Sequence, residues 1–321
     1  MMRIAIAGFL NLLLGLSAAT AQSYPTRPIQ VIVPASPAGI TDIAARFLGE
    51  RLSELWGKQV VVDNRPGGGG SIGVAAAVRS TPDGYTLLMT TNGELALNPA
   101  INAKSKYDFR KDLVPIAMVT NNPIVLAANT SSPYKTLADV VAAAKAQPGN
   151  IAWASPGVGT WNHLTGEWLA DALGIKLLHV PYRGGGPAGT ALAGGEIPLG
   201  FVAISSALPH VQSGRVRVLA LTSAHRSKAD PEWPTVAEGA VPGFDSKQWV
   251  GLYAPAGIDP AIRDKIEADV LSILAQPAVK SRFETAGVEV IGLRGAEALK
   301  QLEADSKIAT EIARKANIHV E

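Results

Sequence analysis

Two stretches of the chain place hydroxyls and glycines at the start of a helix, a combination suited to holding a small anion. Val31-Ile32-Val33-Pro34-Ala35-Ser36-Pro37-Ala38-Gly39-Ile40-Thr41-Asp42 reads as a β-branched strand, a Pro/Gly turn and the first turn of a helix. Ser155-Pro156-Gly157-Val158-Gly159-Thr160 repeats the device later in the chain. The first N–H groups of a helix have no intrahelical partner and lie at the positive end of its dipole, so an oxyanion is favoured there. Glycine lets main chain approach the ligand closely. Neither loop contains Lys or Arg, so the expected chemistry is binding through amides and hydroxyls rather than ion pairs. The candidate ligand contacts are Ala35, Ser36, Ala38, Gly39, Thr41 and Asp42 in the first loop. In the second they are Ser155, Gly157, Val158, Gly159 and Thr160. Thr91, Asn92, Trp161, His163 and Tyr182 complete the set. Asp42 reads first as a helix cap and dipole complement, and second as a contact for a ligand ammonium. His163 reads first as a fixing group for its loop. Trp161 is open between lining a cleft and packing in the core.

Either loop alone could be an ordinary βα turn; the repetition gives the pair its weight. An exposed helix terminus contributes roughly 0.3–1 kcal/mol to anion binding, up to about 2 when partly buried. Each hydrogen bond to a charged group adds about 1.5–3 kcal/mol. A micromolar site needs about 8 kcal/mol net of ordering costs. One open loop falls short, whereas two closing on the same molecule reach that range. Binding should therefore require closure.

The catalytic patterns are weaker. Gly69-Gly70-Ser71-Ile72-Gly73 matches the G-x-S-x-G elbow, but the elbow needs its serine directly after a strand, and here a glycine run intervenes. Ser71 reads instead as a helix N-cap. Gly68, Gly70 and Gly73 fit a dinucleotide fingerprint in spacing alone, with Glu94 in a turn region where an acid on a strand end is needed. The five histidines have no metal-binding spacing, and no paired carboxylates stand out. No enzyme, metal or cofactor is expected.

These loops need strands and helices to carry them. Strands are expected at Ile29–Val33, Gln59–Asp63 and Tyr85–Thr90, with helices at Ile43–Trp56 and Ile72–Val78; Thr41 or Asp42 is the expected N-cap of the first. Extended stretches at Leu113–Val119 and Ile124–Asn129 flank Asn121-Asn122-Pro123. A second series follows: helix Leu137–Ala146, strand Ile151–Ala154, helix Trp161–Leu173 and strand Lys176–Val180. A short helix near Ala188–Ala193 precedes strands Leu199–Val202, Val216–Thr222 and Trp249–Ala254. Val288–Ile291 lies between two amphipathic helices, about Pro260–Ala275 and Ala296–Ala316. Such alternation implies parallel α/β sheets. If the chain leaves the first lobe near 121 and returns near 222, two crossings make a hinge. The expected division is 22–121 with 223–321 in lobe one and 122–222 in lobe two.

A chain of 321 residues, 47% hydrophobic, can bury a core of about two domains. A formal charge of +2 with no basic, aromatic-laced cluster argues against nucleic acid. Residues 1–21 read as a secretory signal: Arg3, an apolar run from Ile4 to Leu16, and Ala19-Thr20-Ala21 as the cleavage site. Nothing later reaches the about 18 to 20 consecutive apolar residues of a membrane span. With no cysteine, the exported chain has neither disulfides nor a thiol for a lipid. A bacterial periplasm fits, and the expectation is a monomer.

The motifs together resemble the Bug/TctC family of periplasmic solute-binding proteins, the receptors of tripartite tricarboxylate transporters. The resemblance runs over essentially the whole mature chain. It is carried by Tyr24-Pro25-Thr26-Arg27-Pro28-Ile29, the Val33–Asp42 turn, Val62-Asp63-Asn64-Arg65-Pro66-Gly67 and Pro82-Asp83-Gly84-Tyr85-Thr86-Leu87. Asn98-Pro99, the Ser155–Thr160 loop with His163-Leu164, and Val180-Pro181-Tyr182-Arg183-Gly184-Gly185-Gly186-Pro187 continue it. Ser206-Ala207-Leu208-Pro209-His210 and Ala254-Pro255-Ala256-Gly257 complete it. The family implies a two-lobe, type II periplasmic-binding fold with two hinge crossings that closes on a small carboxylate, be it a di- or tricarboxylate, an acidic amino acid or an aromatic acid. It implies two integral-membrane transporter subunits as partners. Ala35 stands where the family usually has Phe, and Ala38-Gly39 replaces Gly-Gly. Pro198 and Val202-Ala203 stand where acidic or amide residues are usual. These departures, with Trp161 at an often small position, imply a bulkier or aromatic acid. The rival expectations are an exported hydrolase using Ser71 and a ligand-sensing partner of a membrane signalling protein.

Overall fold

The computed structural model describes residues 24–37, 39–102, 105–227, 230–285 and 288–319. The expected signal segment and Ala38 therefore lie outside the described residues. The first half of the chain runs β1 (Ile29–Val33), α1 (Ile40–Trp56), β2 (Val60–Asn64), α2 (Ser71–Val78) and β3 (Thr86–Thr91). A π-helical turn at Gly93–Leu97 leads into α3 (Asn98–Ile101), followed by α4 (Phe109–Asp112), β4 (Leu113–Asn129) and α5 (Leu137–Ala146). Then come β5 (Ala152–Ser155), α6 (Trp161–Leu173), β6 (Leu178–Pro181), α7 (Gly185–Gly194), β7 (Leu199–Ala203), α8 (Ile204–Gln212) and β8 (Val216–Leu221). The chain finishes with α9 (Val236–Gly239), β9 (Lys247–Pro255), α10 (Pro260–Leu274), α11 (Pro277–Thr285), β10 (Glu289–Arg294) and α12 (Gly295–Lys315).

These form two sheets in a mixed α/β architecture. In the first, β1 lies between β2 and β3 in parallel, with Val31 opposite Val62 and Leu87. β9 runs antiparallel to β3 and to the first part of β4, and β10 pairs with β4 on its other side. In the second sheet β5 lies between β6 and β7 in parallel, and β7 and β8 pair antiparallel with the last part of β4. β4 thus passes from one sheet into the other at Pro123-Ile124, where proline has no N–H to give to a ladder. Asn121-Asn122-Pro123 is not the break between strands that its composition suggests; β9 pairs with all three residues and β10 with Asn121.

The return passage lies beside it. Thr222 N–H donates to Ile124 O at 3.0 Å, Ser246 N–H donates to Thr222 O at 2.8 Å, and Lys247 then pairs with Pro123. The intervening segment packs on the second sheet: Leu221 N–H donates to Pro234 O at 2.8 Å, and the Phe244 ring lies 4.5 Å from that of Trp168.

Each sheet is covered on both faces. β1, β3 and β9 bury Val31, Leu87 and Leu252 with Leu48 of α1, Val270 of α10 and Phe283 of α11. The opposite face of that sheet buries Leu88, Met118 and Tyr253 under α2, the π-helical turn and α12. Val125, Val202 and Ala154 of the second sheet pack under α7 and α8. Among the described residues five helices have no counterpart in the sequence reading; α3, α4 and α9 are only four residues each, too short for a periodicity. Pro209 inside α8 hides its periodicity, and α11 follows α10 after only a short turn.

Candidate functional site

β1 ends at Val33 and delivers the first loop to α1. Ala35, Gly39 and Ile40 are half-buried, and Ser36 and Pro37 are exposed. The N-cap is Gly39, in extended backbone, rather than Thr41 or Asp42, and no side chain caps the helix. The physical reason is register. Ile43 N–H already donates to Gly39 O at 2.9 Å, so Thr41 and Asp42 lie inside the first turn. Both are buried, at 3% exposure each. The Asp42 carboxylate accepts from Arg46 Nε at 2.9 Å and from Asn64 Nδ2 at 3.0 Å, and Asn64 Nδ2 also reaches Ala35 O at 3.1 Å. Asp42 is thereby tied into the wall that shapes the loop. α2 presses on the same loop: a Cβ on Gly73 would lie 2.7 Å from both Pro34 Cα and Arg65 O.

Ser71 is the first residue of α2 and Gly70 its N-cap, so the expected serine cap is not formed; Gly70 at φ 89° closes the preceding turn instead. Among the described residues Ser71 has no histidine or carboxylate hydrogen bonded to it, and no cluster of three or more His, Cys, Asp or Glu could hold a metal.

The second loop joins β5 to α6 and is organised by its own hydroxyls. Thr160 Oγ1 caps α6 by accepting His163 N–H at 3.2 Å and donates to Gly157 O at 2.8 Å. Ser155 Oγ, fully buried, accepts Gly157 N–H at 3.1 Å and contacts His179 Nε2 at 2.6 Å. Gly159 N–H donates to His163 Nδ1 at 3.2 Å. Gly157 and Gly159 hold positive φ, 152° and 73°, which side chains disfavour. Val158 at the tip is 49% exposed, so the loop is not sealed beneath side chains. Tyr182 is half-buried beside it and donates its N–H to Ser155 O at 2.9 Å.

The end of β3 meets the start of α6. A Cβ on Gly93 would lie 3.8 Å from Trp161 N and Trp161 Cβ, placing the Thr91–Gly93 turn of one sheet against the first helical residue above the other. Trp161 and Asn162 are each 2% exposed, and the donors Trp161 Nε1 and Asn162 Nδ2 have no hydrogen-bond partner among the described residues. Thr91 N–H donates to Glu94 Oε2 at 2.9 Å, and its hydroxyl bonds the same carboxyl. Burial pushes the Glu94 carboxyl up toward its neutral form. The Asn92 side chain is committed to the fold: it donates to Asp305 Oδ2 at 2.8 Å and accepts Trp249 N–H at 3.3 Å.

The structure therefore brings Thr91, Asn92 and Trp161 together, and groups Ser155, Gly157, Gly159, Thr160, His163 and Tyr182 in one loop cluster. The bonds of Ala35 and Asp42 run to Asn64 and Arg46, and among the described residues no hydrogen bond joins that loop to 155–160. Pro198 is half-buried, and Val202 and Ala203 are buried. Glu94, Gly93, Asn64, Gly73 and His179 were missed as parts of this site. Glu94 lies in a π-helical turn, which no simple periodicity marks. The others act only through neighbours distant in sequence.

Residues 44–318 match the family described as tripartite tricarboxylate transporter family receptor (TctC). BugT of Bordetella pertussis is 37% identical over 286 residues, 88% of this chain and 88% of its own length. The structure of R. palustris Rpa4515 with adipate superposes with a TM-score of 0.85 at 29% identity, covering 92% of this chain and 99% of that one. MatC (Rpa3494) from Rhodopseudomonas palustris with bound malate does so with a TM-score of 0.81 at 27% identity, covering 90% and 99%. The protein belongs to the TctC/Bug family of solute-binding receptors and has the two-lobe fold of periplasmic binding proteins. Among the described residues no helix is long and apolar enough to cross a membrane.

Proposed function

We propose that this receptor works in the periplasm, closes around a small carboxylate between the 36–42 and 155–160 loops, and hands it to integral-membrane transporter subunits. One observation carries the reading. The first turn of α6 carries two buried donors without a partner among the described residues, Trp161 Nε1 and Asn162 Nδ2, and the Trp161 backbone meets the end of β3. Buried donors without acceptors are costly and call for a ligand oxygen or water. The α1 terminus, which no side chain caps, supplies further amides. Adipate and malate in the two neighbours support a dicarboxylate.

The sheet change of β4 and the packing of 223–246 on the second sheet support lobe borders near 123/124 and 246/247 rather than 121/122 and 222/223. Ala35 and the apolar Val202-Ala203 support a roomier pocket, and hence a bulkier acid than an amino acid.

A ligand that binds only the folded state raises its melting temperature. Malate, adipate, benzoate and glutamate are therefore to be compared by thermal shift and titration calorimetry. A rise with adipate or benzoate is expected. Tight binding of glutamate alone would overturn the preference for a bulkier acid, and no response to any of them would contradict the carboxylate reading.

A further inference from the structure

We propose that His163 and His179 are positioning residues for the second loop: two stacked neutral imidazoles whose unprotonated nitrogens hold Gly159 and Ser155 so that the first turn of α6 faces the ligand. This rests on the receptor reading above and adds to it a pair of residues that need not touch the ligand. The two rings lie 3.9 Å apart and 12° from parallel, His163 on α6 and His179 on β6. Trp153 of β5 supports them from one side, its ring centroid 4.4 Å from His179. Gly166, one turn along α6 from His163, leaves the space that Trp153 fills; a Cβ there would come within 2.4 Å of the indole.

The hydrogen bonds assign the protons. Gly159 N–H donates to His163 Nδ1, so the proton of that ring is on Nε2, 3.9 Å from Glu167 Oε1 and too far to bond. Ser155 Oγ accepts Gly157 N–H at 3.1 Å and has two acceptors for its one proton, Gly157 O at 3.2 Å and His179 Nε2 at 2.6 Å; the shorter contact takes it, which leaves that nitrogen unprotonated. A second proton on His163 would set N–H against the Gly159 N–H; one on His179 would turn the Ser155 hydroxyl away. Either would also place a cation against a stacked ring. Among the described residues the titratable or charged groups facing His163 are His179 and Glu167, and His179 faces His163. Burial pushes the Glu167 carboxyl up, and at 3.9 Å it makes no hydrogen bond to the ring. Burial likewise pushes His163 down to about 3 and His179 to about 4.

The test uses the mature chain, with adipate as the probe. Imidazole nitrogen resonances should show both rings neutral from about pH 7 to pH 5, and the Gly159 amide should shift only as His163 gains a proton. His163→Ala and His179→Ala should each weaken adipate binding by about tenfold to a hundredfold. His163→Asn and His179→Gln keep an acceptor near the lost nitrogen and should recover most of that affinity, while removing the part of any acid-side loss of binding that protonation of the rings causes. Rings that titrate near the ordinary value of about 6.5 with Gly159 silent would overturn the proposal. So would alanine variants that bind as the native protein does, or Asn and Gln variants no better than alanine. If an alanine variant does not fold, the conservative variants and the resonances decide. Failure of the native protein to bind adipate would count against the ligand assignment, leaving the resonances to settle the role of the histidines.

Discussion

Acidification below about pH 6.5 is expected to remove stability at about 1.4 kcal/mol per pH unit for each of His163 and His179. Burial lowers both rings in the folded state, to about 3 and about 4. Between those values and the unfolded value of about 6.5, the unfolded chain binds protons that the folded one refuses. The contribution is thus fully present above the unfolded value and is lost as pH falls toward the folded one. Three carboxyls oppose it. Burial raises Glu94, Glu167 and Asp305, so their contribution is present at low pH and lost as pH rises through their folded values. The native slope is the difference of the two sets. Urea unfolding of the native protein and of a His163→Asn, His179→Gln double variant at several pH values separates them. The native protein should lose stability more steeply than the variant; equal slopes would show that the rings are not held neutral.

Gly73→Ala is expected to cost about 1–3 kcal/mol of stability and to weaken carboxylate binding by about tenfold. The added methyl would lie 2.7 Å from Pro34 Cα and from Arg65 O. Both are backbone atoms, so no side chain can rotate out of the way. Relief must come from moving α2 or from pushing the strand end that opens the first loop. Gly239→Ala is the control, because nothing lies within 4 Å of a Cβ there. Calorimetric titration with adipate and thermal unfolding of both variants check the expectation. A Gly73→Ala protein with native affinity would mean that α2 does not set the shape of the first loop.

Much of this architecture was legible because local signals and tertiary packing agree. Leu137–Ala146 and Trp161–Leu173 begin after Thr136 and Thr160, each of which caps its helix with a side-chain oxygen, and both ends were read correctly. Agreement failed where distant neighbours decide. The passage through Asn121-Asn122-Pro123 stays extended because β9 pairs with all three residues and β10 with Asn121. The Gly67–Gly70 run fits the nucleophile-elbow and dinucleotide patterns in spacing alone, and what it does instead has no local signal. In the structure Asn98 Nδ2 donates to Gly68 O and Gly69 O, and Gly70 leaves room for the Glu94 side chain.

The candidate site shows the same divide. The main-chain character of both loops could be read from their glycines and their lack of Lys and Arg. The engagement of the Ser155 and Thr160 hydroxyls within their own loop could not, because it depends on His179 and on the turn at Gly157. Asn92 likewise looks like a ligand contact by position. Its amide is bound to Asp305 on α12, more than two hundred residues away in sequence.

The central idea is that a small acid is gripped by uncharged main chain from both halves of the molecule. A crystal structure with adipate bound tests it most directly. Its carboxylate oxygens should lie within hydrogen-bond distance of amides in both the 39–41 and the 158–162 segments, with Trp161 Nε1 or Asn162 Nδ2 gaining a partner. An acid held by an arginine or lysine side chain, or by one of the two segments alone, would contradict it.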